Sequence, residues 1–223
     1  MNKMNAKEVK DLFLKEKLVA ICRTLPTEKL GNVARALVKG GVKILEITID
    51  QRAEDPESVI MEAMQTVRDA VGDRLLLGCG TVLNLSQLEM AYKAGAAFYL
   101  SPNLNRDVVK RAKELGLCAI PGAMTPTEIV DAWDAGADIV KLFPADDMGY
   151  HYIWNLKGPL PHIPLLASGG VNPDTIPLFL EHGMVAVGTG ISIINRDLLA
   201  ADDYEGIAAL ARKHVDAIER CTK

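Results

Sequence analysis

The feature that most constrains this chain is a repeated joint. KAGAAF, ELGLCA and DAGADI set Gly95, Gly116 and Gly136 at near-equal spacing, each closing an amphipathic stretch before a short apolar run. KGGVKI and EHGMVA repeat the joint elsewhere. Glycine suits the left-handed position just past a helix end. A unit that recurs in this way buries its apolar face against neighbouring copies of itself. The apolar runs are VAICR, KILEITI, LLLGCGTV, AFYLSP, LCAIPGAM, IVKLFPA, LLASGGV and AVGTGI, eight in all. They are nearly continuous in apolar character, as strands covered on both faces are, and stretches between them such as SQLEMAYKAG and RDVVKRAKELG follow a helical period. The pattern predicts an α/β fold, a TIM (β/α)8 barrel, with MNAKEVKDLFLKEK as an extra N-terminal helix. An open doubly wound sheet is the alternative, although no G-x-G-x-x-G follows the first strand to favour a dinucleotide fold. At 223 residues the whole chain, 1–223, reads as one domain.

Apolar residues make up 49% and charged residues 24%, which excludes extended disorder as the main state. A net charge of −4 gives no general electrostatic reason to expect nucleic acid or an anionic membrane as partner. The N-terminus alternates charged and apolar residues, and no later run is long and apolar enough to span a bilayer, so the expected location is the cytoplasm. Cys22, Cys79, Cys118 and Cys221 include no C-x-x-C pair and are expected as free thiols. His151, His162, His182 and His214 lack metal-ligand spacing, so no metal site is expected.

In a barrel the active site forms at the C-terminal ends of the strands. Arg23 closes VAICR, Glu46 and Thr48 interrupt ILEITI, and Thr81 follows GCG. Ser101-Pro102 closes the fourth strand, Pro121-Gly122 lies near the end of the fifth, and Lys141 stands inside the sixth. Period-two alternation puts Ile44, Glu46 and Thr48 on one face, and Ile139, Lys141 and Phe143 on one face, so both charges can point into the barrel. A buried Glu46–Lys141 ion pair is the structural reading, and such pairs often fail to recover their desolvation cost. The functional reading is a nucleophilic amine. Bringing a lysine from about 10.4 toward 7 takes roughly 4–5 kcal/mol of differential interaction. Burial beside Phe143 and repulsion from Arg23 act in that direction, and Glu46 opposes them. A neutral amine condenses with a ketone to a Schiff base, an electron sink for carbon–carbon bond cleavage, with Glu46 as proton shuttle and no cofactor required. Ser168, Gly169, Gly170, Gly188 and Gly190 stand at the seventh and eighth strand ends, where barrels bind phosphate through backbone N–H groups; glycine required by tight turns is the competing explanation.

With these residues assembled, the chain resembles the KDPG and 4-hydroxy-2-oxoglutarate aldolase family of class I aldolases. LEITI, GCGTVL, SPN, PGAMTPTE, VKLFPA, GPLP and SGGV fall in family order between VAICR and VGTGI. The resemblance implies a homotrimeric barrel that cleaves a 2-keto-3-deoxy sugar acid, commonly phosphorylated, or 4-hydroxy-2-oxoglutarate, to pyruvate and an aldehyde. It implies Lys141 as Schiff-base residue, Glu46 as acid–base residue, Arg23 and Thr81 as holders of the pyruvate carboxylate, and the two glycine turns as receivers of a distal phosphate. Three departures fall on the substrate side. The segment after LEITI reads DQRAEDPE, with Asp50 adding negative charge near the mouth and Arg52 a candidate to compensate it whose placement the sequence leaves open; Gly149-Tyr150-His151-Tyr152 follows Asp146-Asp147; and Gly188-Thr189-Gly190-Ile191 delays the expected serine to Ser192. A shift of one residue turns a strand-end side chain to the other face, so a weaker phosphate preference is expected. The competing functions are another phosphate-binding barrel lyase or isomerase, in which Lys141 stays noncovalent, and a non-catalytic sugar-phosphate-binding barrel.

Overall fold

The structure, a computed structural model, describes residues 4–221. The joints form as the sequence predicts. Gly41, Gly95, Gly116, Gly136 and Gly183 all have positive φ. The residue after each donates back across the turn, as Ala96 N does to Ala91 O and Leu117 N to Ala112 O, both at 2.9 Å. Helix starts are set by side chains: Asn5 with Glu8 and Thr125 with Glu128 form reciprocal capping boxes.

These signals delimit ten α-helices among the described residues: α1 (Ala6–Glu16), α2 (Thr27–Lys39), α3 (Pro56–Val71), α4 (Leu85–Lys93), α5 (Arg106–Glu114), α6 (Pro126–Asp134), α7 (Gly149–Lys157), α8 (Ile176–Glu181), α9 (Arg196–Ala200) and α10 (Tyr204–Cys221). The strands are β1 (Leu18–Cys22), β2 (Ile44–Thr48), β3 (Leu76–Gly80), β4 (Phe98–Leu100), β5 (Cys118–Ile120), β6 (Gly122–Ala123), β7 (Val140–Leu142), β8 (Leu165–Ser168) and β9 (Ala186–Thr189). All neighbouring strands are parallel, in the order β5-β4-β3-β2-β1-β9-β8-β7-β6.

The eight predicted runs become nine strands because Pro121, which has no N–H to give the ladder, splits the fifth into β5 and β6. The split does not open the sheet. β5 pairs with β4 and β6 with β7, and Asp138 N to Ala119 O (2.9 Å) and Lys141 N to Pro121 O (2.8 Å) carry the ladder across the break. The result is a nearly closed TIM-type barrel ringed by helices.

Alternation along the strands divides the core in two. Leu45, Ile47, Leu77, Val140, Leu142, Leu165 and Val187 face outward into a layer packed by the helices. Val19, Ile44, Phe98, Cys118, Ile139, Leu166 and Ala186 face inward and form a second cluster with Val9 and Phe13 of α1. Phe13 meets Phe98 edge to face at 4.9 Å, and both rings are fully buried, so the extra helix plugs the N-terminal end of the barrel. Cys22, Cys79 and Cys118 are buried free thiols, and Cys221 is an exposed one.

Candidate active site

Lys141 sits between outward-facing Val140 and Leu142 and follows inward-facing Ile139, so alternation places it inside the barrel. It is only 6% exposed, and its Nζ lies 4.6 Å from the centre of the Phe143 ring. Glu46, 3% exposed, stands inside on β2 by the same logic, one residue after Leu45 and two after Ile44. Among the described residues no ion pair within bonding distance joins the two, so the contact pair expected on structural grounds is not what the barrel builds. Burial lowers the Lys141 amine below the ordinary lysine value and outweighs the opposing attraction of Glu46; Arg23 adds to the lowering. The Glu46 carboxyl is raised by burial, against the opposing pulls of Lys141, a hydrogen bond from Thr48 and the charge of Arg23. Each group is thus moved toward its neutral form.

Two neighbours outside the expected set of site residues fix the carboxyl. Thr48 Oγ1 donates to Glu46 Oε1 at 2.9 Å. Gly80, opposite Thr48 in the ladder, leaves the space the carboxyl fills, since a methyl there would overlap Glu46 Oε1. Thr81 follows with φ 58, an uncommon conformation for a β-branched residue. Its carbonyl accepts from Gln51 Nε2 at 3.0 Å. Gln87 Nε2 donates in turn to Gln51 Oε1 at 2.7 Å, and Gln87 Oε1 receives Leu83 N at 2.8 Å. Gln51 belongs to the DQRAEDPE segment, which therefore braces the Thr81 turn. In the same segment Asp50 and Arg52 pair at 3.4 Å, so Arg52 does compensate Asp50.

Above this layer a cavity of about 1160 Å³ opens at the barrel mouth. It brings together Arg23, Ser168, Gly169, Gly170, Gly188 and Gly190. Glu46, Thr81, Pro102, Lys141 and Phe143 are not among its lining residues. Register explains the layering. Lys141 is level with Leu166, two residues before Ser168, and Glu46 with Ile21, two before Arg23. Pro102 lies farther round the rim, its carbonyl packed so closely on Gly122 that a methyl there would collide with it. The charged residues lining the cavity, Arg23, Lys29, Arg52 and Arg196, are all cations, on a chain whose net charge is −4.

Other side chains crowd the glycine turns. Ser192, expected to face away from a phosphate, lines the cavity, and its hydroxyl meets buried His214 Nε2 at 3.0 Å. Ile191 is 65% exposed at the mouth in its place. Thr189 Oγ1 donates to Val171 O at 2.9 Å. Asp146 lies against both Gly169 and Gly170.

Known proteins are similar to this chain over most of its length. A family model for KDPG and KHG aldolase matches residues 9–210. The chain is 30% identical over 204 residues to the 2-dehydro-3-deoxy-6-phosphogalactonate aldolase of Escherichia coli (strain K12), covering 91% of this chain and 96% of that relative. It is 34% identical over 185 residues to the KHG/KDPG aldolase of the same organism, covering 82% and 84%. A solved 2-keto-3-deoxy-6-phospho-gluconate aldolase from Zymomonas mobilis superposes with a TM-score of 0.79 at 26% identity, over 92% of this chain and 95% of that one. By its sequence and its fold, the chain belongs to the KDPG and KHG aldolase family.

Proposed function

We propose that this chain is a class I aldolase cleaving a 2-keto-3-deoxy sugar acid or 4-hydroxy-2-oxoglutarate to pyruvate and an aldehyde through an imine on Lys141. The observation that carries the proposal is a buried amine lowered by its surroundings, inside the barrel, with a carboxyl raised by its own. The neutral Lys141 Nζ adds to the C2 ketone, and Glu46 moves the protons needed to expel the carbinolamine hydroxyl as water. From the resulting iminium, Glu46, directly or through a water, takes the proton of the C4 hydroxyl. The C3–C4 bond breaks, its electrons settle in an enamine, and the aldehyde departs. Protonation at C3 and addition of water release pyruvate and the free amine. No cofactor enters this sequence.

Arg23 and Thr81 hold the pyruvate carboxylate, with Pro102 and Phe143 bounding that end. Ser168, Gly169, Gly170, Gly188 and Gly190 face the distal end of the substrate. The reading takes residues 1–223 as one domain, working as a homotrimer in the cytoplasm. Exposed apolar side chains on the helical shell support the assembly: Val59, Met61 and Leu85 on α3 and α4, and Met148, Trp154 and Leu178 on or beside α7 and α8. A cyclic trimer uses two different patches of each protomer. Among the described residues no helix is long and apolar enough to cross a membrane.

The test is covalent capture. Incubation with pyruvate followed by borohydride reduction should add one pyruvate-derived mass, mapped to Lys141. Lys141→Met should abolish the adduct and lower turnover by at least about 10⁴-fold with the fold intact. Folded protein that gives no adduct at saturating pyruvate would instead support a barrel in which Lys141 stays noncovalent.

A further inference from the structure

The four cations that line the mouth cavity, Arg23, Lys29, Arg52 and Arg196, are not equally free to meet a ligand. Lys29 is held by Asp202 at 2.8 Å and by the Leu199 carbonyl at 3.0 Å, and Arg52 pairs with Asp50. Arg23 stands just after β1, two residues beyond the level of Glu46, and its charge acts on both Glu46 and Lys141, which ties it to the reacting end. The exposed Arg196 side chain makes no ion pair or hydrogen bond among the described residues. Its root is nonetheless fixed. Gly190 O accepts Ile193 N at 3.1 Å and Ile194 N at 2.8 Å, both isoleucines are buried, and Asn195 Oδ1 accepts Asp197 N and Leu198 N at 2.9 and 3.1 Å. Arg196 therefore ends a braced loop that leaves the second glycine turn, and it lines the same cavity as that turn. Three hydroxyls around the two turns are engaged elsewhere. Thr175 Oγ1 donates to Gly170 O at 2.8 Å and Thr189 Oγ1 to Val171 O. His214 Nδ1 meets Leu210 O at 2.8 Å, so that nitrogen carries the ring hydrogen, and the buried neutral ring takes the Ser192 proton at Nε2.

We propose that Arg196 is a specificity-determining residue that selects a second negative group at the distal end of the keto acid. The inference rests on the aldolase reading and deepens it: the preferred substrate carries a phosphate or a carboxylate beyond C4, and not hydroxyls alone. Arg196 offers a forked set of N–H donors with a full charge, which a carboxylate or phosphate matches in geometry and in sign. A hydroxyl at the same place gains a weaker bond and leaves the cation without a counter-charge. The weaker phosphate preference expected from Ile191 rests on a hydroxyl moved out of reach; an arginine rooted a few residues later replaces that neutral donor by a charged one.

The experiment compares kcat/KM for 2-keto-3-deoxygluconate, its 6-phosphate and 4-hydroxy-2-oxoglutarate in the wild type, Arg196→Gln and Lys29→Gln. The wild type should prefer at least one of the two substrates with a distal anion to the unphosphorylated sugar acid. Arg196→Gln should lower that preference by about tenfold or more, the scale of one charge-assisted hydrogen bond, and Lys29→Gln, which removes a cation already held by Asp202, should move it far less. Whichever anion loses its advantage in Arg196→Gln identifies the distal group as phosphate or carboxylate. A wild type that uses the unphosphorylated sugar acid as well as either anion overturns the proposal. So does a preference that Arg196→Gln leaves unmoved, or one that falls as far in Lys29→Gln, which would assign it to the general field of the wall. Pyruvate capture on Lys141 separates the two levels: with capture intact, an unmoved preference defeats the role of Arg196 alone, whereas without capture in the wild type both readings fall.

Discussion

The floor of the barrel and the Glu46–Lys141 layer above it are built by the same strands, one interior step apart, and behave oppositely. At the floor, Val19, Ile44, Phe98, Ile139 and Ala186 close around Phe13 with no measurable exposure. One step along β2 and β7, the same interior face carries Glu46 and Lys141, also buried, each held away from its charged form. The floor stabilises by removing apolar surface from water. The layer above it costs stability by removing ionisable groups from water. The contrast teaches that two residues of register divide the part that folds the barrel from the part that the proposed chemistry uses.

Three variants bear on that division, in descending size of effect. Phe13→Ala should cost about 3–5 kcal/mol, read by urea unfolding, because it opens a cavity under a packed aromatic pair. Pyruvate capture on Lys141 should persist at temperatures where the variant stays folded; loss of capture from a folded variant would show that the floor and the Lys141 layer are coupled. The double variant Glu46→Gln/Lys141→Met should be inactive yet more stable than the wild type near neutral pH, by about 1–4 kcal/mol. The sign follows from the shifts. Glu46 lends stability below its ordinary value of 4.5 and loses it as pH rises through its raised folded value. Lys141 lends stability above its ordinary value of 10.5 and loses it as pH falls through its lowered folded value. The advantage of the double variant should therefore peak between those limits and fade beyond either; a flat profile would remove the ionisation argument. Smallest, Gln51→Ala should raise the pyruvate concentration needed for half-maximal capture by about three- to tenfold, the worth of one or two hydrogen bonds, with little change in maximal rate. A fall in rate with unchanged half-saturation would place Gln51 elsewhere in the reaction.

Much of this is legible in the sequence because strands alternate with period two. Ile44-Glu46-Thr48 and Ile139-Lys141-Phe143 lie inward as that period requires, and the glycine joints mark the helix ends. The split at Pro121 is not legible there, since a proline in an apolar run does not say whether the ladder continues beyond it. The direction of the Lys141 shift is open at that level, because burial and the attraction of Glu46 oppose each other and only the fold sets their sizes. Contacts between separate loops leave no local signal: Gln51 with Thr81, Ser192 with His214, and Asp146 with Gly170. The displacement of Ser192 is visible one residue at a time, but its partner lies on α10, brought near only by closure of the barrel.

The plug made by α1 has a kinetic meaning as well as a structural one. With its lower end shut, the barrel is a vessel with one opening, and anything bound to Lys141 enters and leaves past the same rim. On the proposed chemistry the pyruvate carbons occupy the bottom of that vessel and the aldehyde the space above them. Release is then last in, first out: the aldehyde clears the opening before pyruvate can follow, and in synthesis the order of entry is reversed. The sequence of events is set by having a single door, whatever the two affinities are.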